Sequence, residues 1–73
     1  MIERLFKAVI HYDASLRDFM VTMVGIFQWL DENGRRAHFI NYYDNTDDEA
    51  GLGEIVVVLN DRDTAIMLKL ALA

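Results

Sequence analysis

Few side chains in this sequence could act as a catalytic nucleophile. The chain contains no cysteine, and Ser15 is its only serine. A nucleophile needs a base within hydrogen-bonding reach, and that base must itself be oriented by a third group. His11 is the nearest histidine in sequence, but Ser15 is placed to cap a helix, which already accounts for its hydroxyl group. We therefore predict that the protein is not an enzyme.

The two histidines and an acidic segment could instead bind a metal ion. His11 and His38 fall on predicted strands, and residues 44–49 carry four carboxylates. That segment lacks the calcium-loop signature, since Glu49 and Ile55 stand where the loop needs glycine and a bidentate glutamate. A zinc site needs three or four ligands. We therefore expect no metal and no cofactor, and a metal-binding accessory or enzyme using His11 and His38 is the weaker alternative.

The charge balance argues against binding to nucleic acids and to membrane surfaces. Twelve acidic residues against seven basic ones give a net charge of −5, which repels phosphate groups. The basic pair Arg35 and Arg36 lies close to the acidic segment. Gly51 and Gly53 precede a strand, whereas a phosphate-binding loop follows a strand and opens into a helix. We expect no nucleic-acid partner.

The apolar runs are too short for a membrane span, and the N-terminal segment does not have the pattern of a secretory signal. The longest run, residues 19–30, is well below the length of about 20 residues that a bilayer requires. The first residues mix charged and apolar side chains and lack a small-residue cleavage site. Together with the absence of cysteine, these features predict a cytoplasmic location and no membrane partner.

Local patterns predict a single domain, residues 1–73, with the element order β-α-β-β-α. Ser15 is the predicted N-cap of the first helix, Gly34 its stop signal, and Asn60 or Asp61 the cap of the last helix. The third strand is apolar without alternation, so it should be central. The predicted elements are strand 2–12, helix 16–33, strand 35–44, strand 54–60 and helix 65–73. For residues 2–12 the apolar spacing also fits a helix, and the β-branched and aromatic content favours the strand.

This order predicts an α/β (α+β) fold, a small two-layer sandwich with both helices on one face of a three-stranded sheet. We expect the first and third strands to be adjacent and parallel. The opposite sheet face then has no cover. Because a chain of this length buries only about 60% of its unfolded surface, and because 53% of its residues are hydrophobic, association with another chain is expected.

The first helix carries a predicted partner-binding strip. Val21, Gly25 and Trp29 follow one another at intervals of four residues, opposite the predicted core stripe. Asp18 and Glu32 are the acidic side chains assigned to the same site. Tryptophan is enriched at binding hot spots, although Trp29 folding over the edge of the domain is an equal alternative. The predicted core stripe comprises Leu16, Phe19, Met20, Met23, Ile26, Phe27 and Leu30.

The last helix is apolar on nearly all sides, which predicts that it is buried on all sides. Its predicted core face comprises Ile66, Met67, Leu70 and Ala71. Leu68 and Leu72 then lie on another face, and we assign them to an oligomer interface. The sequence therefore predicts a homo-oligomer.

Two segments of the chain resemble small uncharacterised bacteriophage proteins. The first is MVTMVGIFQWLDENG, residues 20–34, and the second is IVVVLNDRDTAIMLKLAL, residues 55–72. The resemblance implies a viral origin, and hence host cytoplasm, without an activity or any functional residue. Together with the charge and the missing catalytic groups, it leads us to expect a small acidic protein-interaction module, such as a phage-encoded modulator or inhibitor of a host or viral protein. A structural or assembly accessory protein is the alternative.

Overall fold

A computed structural model describes residues 4–72 of the chain. Within them the elements follow the predicted order β-α-β-β-α, with a short 3₁₀ helix before the second strand. The start of the predicted first strand, residues 2–3, and Ala73 of the predicted last helix lie outside the described residues. The elements are β1 Phe6–Asp13, α1 Phe19–Glu32, the 3₁₀ helix Arg36–His38, β2 Phe39–Asp44, β3 Leu52–Leu59 and α2 Arg62–Leu72.

The sheet has the strand order β1-β3-β2, so β3 is central as predicted. Both of its neighbours are antiparallel to it, with Ile10 opposite Ile55 and Tyr43 opposite Val56. The predicted parallel pairing of β1 with β3 is therefore wrong. The reason is connectivity: α1 returns the chain so that β2 runs parallel to β1, and the β2–β3 hairpin reverses it again. The result is a split β-α-β arrangement.

Both helices pack on one face of the sheet, as the sequence predicts. The buried cluster joins alternate residues of β1 and β3 to α1 and α2. Val56 and Val58 belong to the other set of β3 positions, which faces away from the helices. The core cluster comprises Ala8, Ile10, Met23, Ile26, Leu30, Ile55, Val57, Leu59, Ala65 and Leu68.

Helix α1 begins later than predicted, because Ser15 is part of the preceding turn. The Ser15 hydroxyl and backbone N–H both donate to Asp13 Oδ1, at 2.5 and 2.9 Å. The backbone N–H groups of Leu16 and Arg17 donate to the Asp13 carbonyl. Asp18 is the N-cap instead, and its carboxylate accepts a hydrogen bond of 2.8 Å from the Val21 backbone.

The end of α1 agrees with the prediction that Gly34 stops it. Gly34 has a φ of 65°, a left-handed conformation that glycine adopts without a steric penalty. Its N–H donates to the Asp31 carbonyl, and the N–H of Arg35 donates to the Leu30 carbonyl. These two bonds form a Schellman motif, which satisfies carbonyl groups in the last turn of the helix.

The predicted second strand is shorter than expected at its N-terminal end. Residues Arg36–His38 form a 3₁₀ helix, and β2 starts at Phe39. The register with β3 shifts between Phe39 and Asn41, which leaves Ile40 as the extra residue of a β-bulge. The ring of Phe39 packs edge-on against Phe27 of α1, with ring centroids 5.0 Å apart.

The predicted faces of α2 are reversed. Leu68 is 0% exposed in the core cluster, and Leu72 packs against that cluster. Leu70, which the sequence assigns to the core, is 79% exposed, and Ile66 is also exposed. The assignment of Leu68 to an oligomer interface is therefore wrong, because a fully buried side chain cannot reach a second chain. Leu72 lies on the same side of α2.

Candidate functional site

The predicted strip on α1 lies on the outer side of the helix at two of its three apolar positions. Val21 is 56% exposed, and Gly25 is half-buried. At about 100° per residue, Met20 and Val24 lie on the same outer side, and both are exposed. We call Met20, Val21, Val24 and Gly25 the α1 outer surface.

Part of this surface was missed from the sequence. Met20 was assigned to the core stripe, but it is exposed, and Thr22 is buried in its place. The buried side of α1 is therefore rotated toward Thr22. The Thr22 hydroxyl donates a hydrogen bond to the Asp18 carbonyl, and a polar group that is hydrogen-bonded in this way can be buried. Leu16, also assigned to the core, precedes the helix and is exposed.

Gly25 has no steric reason within the described residues to be glycine. Apart from its chain neighbours and the helix's own backbone, no atom lies within 4 Å of the position that a Cβ would occupy. Relief of crowding against Trp29 is therefore not the explanation. A small cavity of about 70 Å³ lies next to Gly25, with Val21, Thr22 and Leu72 in its lining. The cavity is bounded by β1 and the end of α2 as well as by α1, so the backbone of α1 at Gly25 faces a cleft.

The other residues of the predicted site have structural roles. Trp29 is half-buried and packs against the core cluster. Asp18 caps α1, as described above. Glu32 is exposed and accepts a hydrogen bond of 3.1 Å from the Gln28 amide. Asp18 and Glu32 thus place a carboxylate near each end of α1, on either side of the α1 outer surface.

His11 and His38 do not converge. His11 is opposite Glu54 in the β1–β3 register, with Nδ1 3.9 Å from the carboxylate. The Nδ1 atom of His38 lies 2.9 Å from the side-chain oxygen of Asn60. Asn60 follows Glu54 along β3 and just past its end, a distance of about 20 Å at about 3.3 Å per residue. The two imidazoles therefore cannot share a metal ion.

An open acidic groove lies between the end of β1 and the β2–β3 hairpin. Two of its carboxylates accept hydrogen bonds from nearby backbone N–H groups, Asp13 from Ser15 and Asp47 from Ala50. The hydrogen bonds from Ser15 hold the pKa of Asp13 below its ordinary value. Among the described residues, no group of three or more potential ligands is placed to hold a metal ion. These acids therefore shape the turns.

A second polar cluster joins the start of α2 to the end of α1. Asp61 accepts hydrogen bonds from the Thr64 hydroxyl and backbone N–H, at 2.6 and 3.0 Å. Arg35 donates to Thr64 at 2.9 Å and to Asp61 at 3.3 Å. The Thr64 hydrogen bonds, more than the charge of Arg35, lower the pKa of Asp61. This cluster caps α2 and holds the two helices together.

Comparison of the chain with protein-family profiles, with curated proteins and with solved structures finds no match. None of the helices within residues 4–72 has the length and apolarity needed to cross a bilayer.

Proposed function

We propose that the protein is a small protein-interaction module, and that its partner lays a helix on the α1 outer surface. The observation that carries the proposal is Gly25. A glycine inside a helix costs about 1 kcal/mol relative to alanine, and no neighbouring side chain needs the space. Close approach of another backbone is a reason for such a glycine.

The charges around this surface indicate the chemistry of the partner. Asp18 and Glu32 flank it, and the whole chain has a net charge of −5. A helix with small or apolar residues at its centre and lysine or arginine at its ends complements this arrangement. A second copy of α1 does not, because antiparallel pairing about Gly25 sets Asp18 against Glu32 of the other copy. We therefore propose a different, basic protein as the partner.

The origin of that partner follows from the resemblance described above. If the chain is a bacteriophage protein, a host protein is the natural partner, and the module acts by covering a surface of it. The exposed side chains Ile66 and Leu70 on α2 favour self-assembly as a second candidate function, because isolated small domains seldom expose adjacent large apolar residues without a partner. These two roles use different helices and can be tested separately.

The substitution Gly25→Ala tests the proposed site. It should stabilise the free protein by about 1 kcal/mol, since alanine is the better helix former and its methyl group meets open space. The same methyl group should weaken partner binding by at least about tenfold, a loss of about 1.4 kcal/mol. Thermal unfolding and affinity capture of the partner measure the two effects. Asn45→Ala, an exposed change in the β2–β3 hairpin, is the control. Capture of equal amounts of partner by Gly25→Ala and wild type would contradict the site.

A further inference from the structure

The outer edge of β1 presents backbone groups that no strand within residues 4–72 pairs with. The Ala14 N–H donates to the Gly51 carbonyl at 3.0 Å, in the same register that pairs β1 with β3. In an antiparallel pair the hydrogen-bonded positions alternate. Even-numbered residues of β1 therefore direct their N–H and C=O groups toward β3. The corresponding groups of Lys7, Val9 and His11 point outward.

The other edge of the sheet is protected. Strand β2 contains the bulge at Ile40, and bulges interrupt further strand pairing. The Asn45 N–H donates to Glu54 in the β2–β3 register, so the Tyr42 N–H must point outward. That N–H donates to the side chain of Asn41 at 2.8 Å. The edge of β1 has neither a bulge nor such a side-chain acceptor among the described residues.

The width of the helical layer leaves space beside β1. Two helices, each about 10 Å across, cover about four strands spaced at about 4.8 Å, but the sheet has three. The aromatic rings of α1 contact β2, through the pairs Phe19–Tyr42 and Phe27–Phe39. Helix α2 packs mainly on β1. Helix α2 is therefore the helix that lies beside the open edge of β1.

Basic side chains lie along this edge on both faces of the sheet. The chain has two lysines, Lys7 and Lys69. The side chains of Lys7 and His11 on the edge strand point away from the helices, because the alternate residues of β1 belong to the core. Thr64 of α2 faces the α1 side, where it binds Arg35. Lys69 lies about 140° around the helix from Thr64, which puts it on the side toward the open edge. An acidic segment complements these groups although the protein as a whole is acidic.

A second copy of β1 does not fit the same space. Antiparallel pairing of two β1 strands would place both copies of α2 on one sheet face, above strands about 4.8 Å apart. Packed helices need about 8–10 Å between their axes. Helix α2 packs mainly on β1, so the axes of its two copies would lie closer together than this. A single extended segment under α2 has no such conflict.

We propose that the β1 edge, meaning the outward backbone groups of Lys7, Val9 and His11, binds an extended acidic segment of another protein as a fourth strand. This deepens the proposed interaction role by adding a second surface, which takes a strand where the α1 outer surface takes a helix. The segment gains backbone hydrogen bonds from the edge strand and charge pairing from the lysines. Its apolar alternate residues lie beneath α2.

A titration of ¹⁵N-labelled protein with an acetylated, amidated heptapeptide of alternating glutamate and valine tests this proposal. The expected result is amide shifts and slowed hydrogen exchange at Lys7, Val9 and His11. A matched lysine–valine heptapeptide should bind at least about tenfold more weakly because its charges repel the same lysines. Shifts confined to other surfaces, equal binding of the two peptides, or no binding at millimolar peptide would overturn the proposal.

Variants at Val9 distinguish binding through the backbone of the edge strand from binding through its side chains. Val9→Pro removes an outward N–H and no β1–β3 hydrogen bond, and proline is tolerated on edge strands in this orientation. Val9→Pro should lower the affinity for the glutamate–valine peptide by about tenfold. Val9→Thr keeps the N–H and should leave the affinity unchanged. If Val9→Pro does not fold, Lys7→Glu provides a second test, and it should lower the affinity for the peptide by a similar factor. Val24→Ala changes the α1 outer surface at an exposed position outside the cavity that Gly25 shares with His11. It should bind the peptide like wild type, so failure here and failure at the α1 outer surface are distinguishable.

Discussion

Leu68→Glu is expected to unfold the protein. The Leu68 side chain is 0% exposed and packs in the core cluster between α2 and the sheet. A carboxylate in that position has no cation or hydrogen-bond donor to compensate its burial. The expected loss is about 4 kcal/mol or more, a large part of the 5–15 kcal/mol that stabilises a typical domain. Circular dichroism and thermal unfolding measure it.

Leu70→Glu is the matched control on the same helix. Leu70 is 79% exposed, so the change should alter the free energy of unfolding by no more than about 0.5 kcal/mol. If α2 also mediates self-assembly, light scattering should show that Leu70→Glu lowers the molar mass while leaving the fold intact. A folded Leu68→Glu variant would contradict the position of α2 described above.

Trp29→Ala is expected to destabilise the protein by about 2–3 kcal/mol. Complete removal of a buried aromatic side chain costs about 3–5 kcal/mol, and Trp29 is only partly buried where it packs against the core cluster. Urea unfolding followed by circular dichroism gives the free energy. This result would assign Trp29 mainly to the fold, which was one of the two readings of the sequence.

The opposite result would restore Trp29 to the binding site. If Trp29→Ala unfolds at the same urea concentration as wild type but no longer captures the partner, its side chain acts mainly by contacting that partner. In the urea measurement, Gln28→Ala, at the preceding exposed position, controls for changes in helix propensity. Trp29→Phe keeps an aromatic side chain, so it should recover most of the lost stability.

The order of the elements could be predicted because their signals are local. Gly34 marks the end of α1 through its positive φ, and Asp61 caps α2 through its hydrogen bonds to Thr64. The unbroken apolar run of β3 correctly placed it at the centre of the sheet. The start of α1 was placed too early because Ser15 and Asp18 are both good capping residues. Only the turn at Asp13 decides between them.

The orientation of elements needed information that the sequence pattern lacks. Helix α2 has large apolar side chains on several sides, so its periodicity did not distinguish the buried Leu68 from the exposed Leu70. The direction of β1 relative to β3 follows from the whole path of the chain rather than from either strand. At the candidate site, spacing placed Val21 on the outside correctly. It could not show that Trp29 reaches the core, because a long side chain at the margin of a helix can turn either way.

Site-specific photo-crosslinking from α1 tests the central claim most directly. A photoreactive amino acid at Val21, which is 56% exposed, is compared with one at Asn45, which is exposed in the β2–β3 hairpin. Lysate of the cell that makes the protein is irradiated, and the cross-linked peptide is sequenced. The proposal predicts one adduct from Val21, absent from Asn45 and lost with Gly25→Ala, whose attached segment is a helix with basic ends. No adduct, the same adduct from both positions, or an adduct with a second copy of this chain would contradict it.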